Sequence, residues 1–167
     1  EIWKNPALEQ NGHHSVKPGE LKDFDHLLSE MRLIKSSAEI KLMRKAADIT
    51  ARAHRRVMTY CSTHLSEYHL QAEIEHEFMS AGATGTAYTS IVGAGKNACV
   101  LHYIENRDKL KSGDLVLIDA GCEYKNYAAD ITRTFPVNGK FTSSQAAVYD
   151  IVLAAQTAAI KQIAPGL

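Results

Sequence analysis

Two aspartates in one short stretch are placed to do chemistry together. An apolar run, Leu115-Val116-Leu117-Ile118, ends in Asp119, and a β-prone run, Ile131-Thr132-Arg133-Thr134-Phe135, is opened by Asp130. Between them lies the polar turn segment Glu123-Tyr124-Lys125-Asn126. Both arms are rich in β-branched and aromatic residues, which predicts a β-hairpin. A turn centred between Tyr124 and Lys125 sets Asp119 directly opposite Asp130, on one face, with Cβ atoms about 4.5–5.5 Å apart. Two carboxylates that close repel unless something neutralises them. A shared proton would do so. One or two divalent metal ions would do it better, because carboxylate oxygens suit hard cations such as Mn²⁺ or Mg²⁺. The plainer alternative is that each aspartate caps a turn through its own hydrogen bonds. Asp130 fits that less well: Ile131 and Phe135 after it imply that it faces inward, and a buried aspartate without a partner is costly.

The other candidate groups are weaker taken singly. His102 ends a predicted short strand, Cys99-Val100-Leu101-His102-Tyr103, and gains interest because the strand end at Asp119 follows soon after. His69, Glu73 and His76 share one face of a predicted helix, but the order of its apolar stripe turns that face to solvent rather than to a metal. His54 lies on an apolar stripe and reads as a packed or hydrogen-bonded histidine at the core edge. His13-His14 reads as a solvated pair in a loop. Gly93-Ala94-Gly95-Lys96-Asn97 lacks the third glycine of a dinucleotide loop and leads into no helix, so it reads as a flexible turn beside a site.

These groups need elements to hold them. Residues 1–20 carry turn and linker signals, and residues 21–34 have Phe24, Leu27, Leu28 and Met31 at helical spacing. Ser36 with Glu39 forms a capping box. Behind it Ile40, Met43, Ala47, Thr50, His54 and Val57 make the stripe of a long amphipathic helix. A second helix is predicted over residues 66–81, with Leu70, Ile74, Phe78 and Ala81 inward and Gly82 as its stop. Strands follow at residues 88–92 and 99–103 and in the two hairpin arms. A last capping box, Thr142 with Gln145, starts a helix bearing Val148, Val152, Ala155, Ala159 and Ile163. Strands grouped together with helices before and after them predict an α+β fold, an antiparallel sheet with helices packed on one face.

Composition narrows the function. The chain has 167 residues, enough for one domain with a real core, and its 19 basic residues balance its 19 acidic ones. Neither a nucleic-acid partner nor a membrane is expected, since there is no basic cluster and no apolar run long enough to span a bilayer. Cys61, Cys99 and Cys122 are odd in number and not in metal-finger spacing, which predicts reduced thiols and a cytoplasmic setting.

The motifs Ile91-Val92-Gly93-Ala94-Gly95, Leu101-His102-Tyr103, Leu117-Ile118-Asp119-Ala120-Gly121-Cys122-Glu123-Tyr124 and Ala129-Asp130-Ile131-Thr132-Arg133-Thr134-Phe135-Pro136 together resemble the Xaa-Pro aminopeptidases (aminopeptidase P). Those enzymes belong to the superfamily with the pita-bread fold that also holds creatinase, prolidase and methionine aminopeptidase. The likeness runs from about Arg32 to the C-terminus. It implies a metallopeptidase that removes an N-terminal residue preceding proline, using two divalent metal ions, usually manganese, and five protein ligands. Two ligands map onto Asp119 and Asp130. His102 maps onto an active-site histidine that holds the substrate or the transition state, and Tyr88 onto a tyrosine beside the metal centre. Paired ions suit such a hydrolase because they lower the pKa of a shared water and polarise a carbonyl.

The remaining ligands of the family, a histidine and two glutamates, belong to a second half expected to follow Leu167. On that reading residues 1–31 are linker and the end of a preceding region, and residues 32–167 are the N-terminal half of the catalytic domain. Alone it is expected to be inactive and to hold metal poorly, if at all, and the full-length form to be a homo-oligomer acting on peptides with proline second. Gly139-Lys140-Phe141-Thr142 also occurs in prolidases, which leaves a Xaa-Pro dipeptidase as an alternative. A relative that has lost its metal ligands and serves as a peptide-binding scaffold is another.

Overall fold

The computed structural model describes residues 24–166. The expected linker of residues 1–20, with His13-His14, lies outside them. The chain divides into two units, residues 1–35 and residues 36–167. In the first, α1 (Asp25–Leu33) is a nine-residue helix with no buried residue. The second unit holds everything else: α2 (Ser37–Tyr60), α3 (Glu67–Ser80), β1 (Gly85–Thr86), β2 (Ile91–Ala94), a 3₁₀ turn (Gly95–Cys99), β3 (Leu115–Ala120), β4 (Cys122–Tyr124), β5 (Tyr127–Ala128), β6 (Ile131–Pro136) and α4 (Ser143–Gln162).

Helix starts follow the capping chemistry of the sequence. Glu39 N–H donates to Ser36 Oγ at 3.3 Å, and the Glu39 carboxylate accepts from Ser36 N–H at 2.6 Å. Thr142 and Gln145 make the same exchange at 3.3 and 2.9 Å. The buried side of α2 is Ala46, Ile49, Thr50, Ala53, His54 and Val57. It therefore begins later than expected and is turned slightly: Ile40, Met43 and Ala47 are exposed. Only the part of the helix that lies over the sheet has anything to bury against, so the first turns carry apolar residues outside the core.

The strands form two antiparallel three-stranded sheets, β1-β4-β5 and β2-β3-β6. Along β3, Val116, Ile118 and Ala120 are buried against Ile49, Ala53, Val57, Leu70, Ile74 and Phe78 of α2 and α3. Alternation turns Leu115, Leu117 and Asp119 to the other face. Two strand expectations shift. Strand β2 starts at Ile91 rather than Tyr88 and runs on into Gly93-Ala94, and residues 99–103 form no strand but the end of a 3₁₀ turn and the bend after it. The loop expected to be a flexible turn is thus a wholly buried strand followed by a 3₁₀ turn.

The predicted hairpin is present, but its centre lies one residue further on. Tyr124 pairs with Tyr127, and Lys125 and Asn126 form a two-residue turn with φ of 50° and 68°. Positive φ at both central residues is the turn that matches strand twist, and asparagine tolerates it. Asp119 consequently pairs with Thr132, not with Asp130. The hairpin also passes from one sheet to the other, with Gly121 at the crossing. A Cβ on Gly121 would lie 1.7 Å from the Ala129 carbonyl oxygen, inside its van der Waals surface.

Backbone groups beside this crossing are satisfied by α2. Thr50 Oγ1 accepts from Cys122 N–H at 3.1 Å, and the His54 ring donates from Nε2 to the Ala120 carbonyl at 3.1 Å. Cys122 Sγ reaches the Ala46 carbonyl at 3.4 Å. Residues 46, 50 and 54 are successive turns of one helical face, so α2 grips the bend with a polar stripe inside its apolar one. His54 Nδ1 is buried without a partner. Burial holds the His54 pKa below its ordinary 6.5; the Ala120 carbonyl opposes this, Arg133 adds to it and Asp119 opposes it.

Gly121→Ala is expected to cost more than about 3 kcal/mol or to prevent folding, because backbone, not a flexible side chain, occupies the space. Urea denaturation reads this, and a midpoint equal to the parent's would show that the crossing can relax. His54 gives a pH dependence with a definite sign. Its folded-state pKa is depressed, so the unfolded chain binds the extra proton, and stability present above pH 6.5 is lost as pH falls below it. Melting temperature should fall from about pH 7 to about pH 5, and His54→Gln, which keeps a donor near Ala120, should flatten part of that fall.

Candidate metal centre

Asp119 and Asp130 come together although they are not register partners. Asp119 stands next to the end of β3. Asp130 precedes β6 rather than starting it, and it is exposed rather than inward-facing. Side chains two residues apart on one strand share a face, so Asp130 lies diagonally across from Asp119 on the same side. The expected common face therefore survives the shifted register. A slip of the turn by one residue moves the partner by two, which conserves the face.

The third member is Tyr88. Its segment is tied to the crossing from below: Thr84 N–H donates to the Glu123 carbonyl at 2.9 Å, and Ala87 N–H to the Gly121 carbonyl at 2.8 Å. The next residue then reaches both acids. The Tyr88 hydroxyl lies 2.6 Å from Asp119 Oδ1 and 3.0 Å from Asp130 Oδ1. Burial first, then the two aspartates, push the Tyr88 phenol far above its ordinary value, so it remains a donor.

One hydroxyl has one proton. At any moment only one of these contacts is a hydrogen bond, and the other sets oxygen against oxygen. Among the described residues neither aspartate forms an ion pair; the salt bridges there join Arg52 and Arg56 to Glu73 and Glu77. Converging carboxylate oxygens with no protein cation between them fit a hard divalent ion. Among the described residues there is no group of three or more His, Cys, Asp and Glu side chains able to hold a metal. The pair is thus a partial donor set.

His102 is exposed on the bend after the 3₁₀ turn, with φ of 56°. The helix-face cluster of α3 disperses: His69 Nδ1 accepts from Ser66 N–H at 3.0 Å, Glu73 pairs with Arg56, and His76 Nε2 lies 3.4 Å from Ser80 Oγ. His69 is therefore a capping group rather than a solvated one. Sequence reasoning passed over Glu67 and Asn106, both buried and polar in the core beside β2. Glu67 lies between Ser66 and Tyr68-His69, and Asn106 in the polar run Glu105-Asn106-Arg107-Asp108, so neither carried a signal in the sequence.

The profile of Metallopeptidase family M24 matches residues 41–167. The chain is 50% identical to the Xaa-Pro aminopeptidase of Escherichia coli (strain K12) over 170 residues, which is 99% of this chain and 38% of that protein. It is 51% identical to the Xaa-Pro aminopeptidase of Haemophilus influenzae over 164 residues, 98% of this chain and 37% of that one. Among solved structures, a glutamate-to-alanine variant of Escherichia coli aminopeptidase P in complex with substrate superposes with a TM-score of 0.86 at 53% identity, over 89% of this chain and 34% of that chain. The chain thus spans between a third and two fifths of the length of these relatives.

Tyr88→Phe removes the donor that both acids share. In metal-free buffer it is expected to lower stability by about 1 kcal/mol, because the carboxylates keep their mutual repulsion and lose a charge-assisted hydrogen bond. Urea titration at neutral pH measures the change, and an unaltered midpoint would show that the hydroxyl does not relieve the pair.

Proposed function

The chain belongs to Metallopeptidase family M24, and from that premise we propose that its protein is a Xaa-Pro aminopeptidase. Such an enzyme hydrolyses the bond between an N-terminal residue and the proline that follows it. The observation that carries the reading is the meeting of Asp119 Oδ1 and Asp130 Oδ1 at one tyrosine hydroxyl with no cationic side chain between them. The names of the similar proteins supply the substrate class, a peptide with proline second.

In this reading Asp119 and Asp130 hold divalent metal, two Mn²⁺ ions in the complete centre. A bound metal centre supplies water activation and carbonyl polarisation. Tyr88 orients the two carboxylates by donating to them. His102 contacts the substrate from its exposed bend. Residues 32–167 act as the N-terminal half of the catalytic domain, with residues 1–31 leading into it. The uncovered apolar side chains of α4, among them Val148, Ile151, Val152 and Ile160, support the packing of further polypeptide there. No helix among the described residues is long and apolar enough to cross a membrane. The unpaired thiols Cys61, Cys99 and Cys122 support a reducing compartment such as the cytoplasm.

Turnover of a Xaa-Pro peptide by the whole enzyme with manganese tests the reading. Asp130→Asn should lose metal and lower kcat/KM by more than about a hundredfold, with the fold retained. His102→Ala should keep its metal and lower turnover. Loss of metal from the His102 variant would overturn the role given to that residue. Cleavage confined to dipeptides would move the assignment to prolidase. A polypeptide limited to residues 1–167 is expected to show no measurable turnover, and manganese-dependent cleavage by it would contradict the incomplete donor set.

A further inference from the structure

One carboxylate in the core has no cation beside it. Glu67 opens α3, is 0% exposed, and forms no ion pair among the described residues. Its Oε1 accepts from Ala94 N–H at 2.8 Å and from Asn97 Nδ2 at 3.0 Å. Its Oε2 accepts from the Tyr103 hydroxyl at 2.8 Å and from Asp108 N–H at 2.9 Å. A carboxylate offers about four acceptor sites, and all are used. An apolar side chain would fill the same space at lower cost, so packing alone does not call for this one.

The donors fall into two pairs. Ala94 and Asn97 precede His102 in the chain, and Tyr103 and Asp108 follow it. The loop that carries His102 is therefore gathered from both ends onto one side chain. A second buried group continues the tie. Asn106 Oδ1 accepts from Val92 N–H at 2.9 Å, and Asn106 Nδ2 donates to the Ser90 carbonyl at 2.8 Å and to Gln71 Oε1 at 2.9 Å. Ser90 and Val92 flank Ile91, which is the register partner of Asp119. His102 and Asn106 have φ of 56° and 49°, in the left-handed region that is uncommon for side-chain-bearing residues although asparagine and histidine tolerate it better than most.

We propose that Glu67 and Asn106 are positioning residues that fix the loop bearing His102 against β2, the strand paired with the one that bears Asp119. The inference rests on the reading of His102 as a substrate-contacting residue. Glu67 acts through hydrogen bonds on either side of His102, and Asn106 connects the same loop to the backbone beside the aspartate pair. Neither residue touches the substrate.

Two substitutions test this. Tyr103→Phe removes one donor to Glu67 and keeps the ring, and Glu67→Gln sets a donor against the N–H groups it faces. In the whole manganese-loaded enzyme, Tyr103→Phe is expected to lower kcat for a Xaa-Pro peptide about tenfold with bound metal unchanged, since small misplacements near the reacting groups cost rate. In a His102→Ala background the same change should cost less than about twofold, because a residue acting through His102 has nothing left to act on. Equal losses in the two backgrounds, or loss of metal, would overturn the proposal. The ring proton resonance of His102 in this chain, assigned by its absence in His102→Ala, gives a readout independent of activity. It should be shifted or broadened in Tyr103→Phe and in Glu67→Gln, and an unchanged line in Tyr103→Phe would refute positioning even where Glu67→Gln does not fold. Should the parent enzyme cleave no Xaa-Pro peptide, the functional reading fails, and the resonance still decides whether the network places the loop.

Discussion

The close passage of the Ala129 carbonyl over Gly121 is the constraint around which the rest of this structure is arranged. The hairpin can change sheets there only because residue 121 has no side chain. That crossing ends β3 just after Asp119 and starts β6 just after Asp130, so both acids are delivered to the same rim. It also turns the Gly121 carbonyl toward Ala87, whose N–H takes it and places Tyr88 beside the acids. Three residues far apart in sequence meet because one glycine permits two backbones to touch.

The price of such a bend is backbone polarity near the core, and the surrounding helices answer it. Thr50 and His54 of α2 bind the chain on either side of Gly121. Glu67 and Asn106 do the same for β2 and the loop after it. Polar residues inside an apolar core are costly unless paired, and apart from the one histidine nitrogen these side-chain groups are paired. The polar core groups are thus concentrated where irregular backbone would otherwise lack partners. The same groups hold the segments that carry Asp119 and His102, so the interactions that satisfy the backbone also stiffen the site.

Local chemistry was legible wherever it is completed within a few residues. Both expected capping boxes, at Ser36 and Thr142, form, because cap and N3 partner lie three residues apart and need nothing else. The helix stop at Gly82 and the hairpin itself are of the same kind. Phase and register were less legible. Ile40 and Met43 have the spacing of the α2 stripe, yet they are exposed and the buried face of the helix starts at Ala46. Tyr88 looked like strand because its neighbours are β-prone, but pairing of residues 84–87 with β4 uses that segment differently. Cys99-Val100-Leu101-His102-Tyr103 has strand composition and pairs with no strand among the described residues, while Glu67 takes the backbone N–H groups of Ala94 and Asp108 on either side of it.

The sequence by itself determined the long helices and their starts, the central hairpin, the shared face of Asp119 and Asp130, and the family to which the motifs point. Each of these depends on spacing along the chain, and face is conserved even when a turn shifts by one residue. Only the tertiary structure decided which atoms meet: the diagonal approach of the two acids, the Tyr88 hydroxyl between them, the Gly121 crossing and the buried Glu67 network. Those depend on contacts between residues some eight to seventy positions apart. Their geometry is set by how helices and sheets pack in space, which no local pattern encodes.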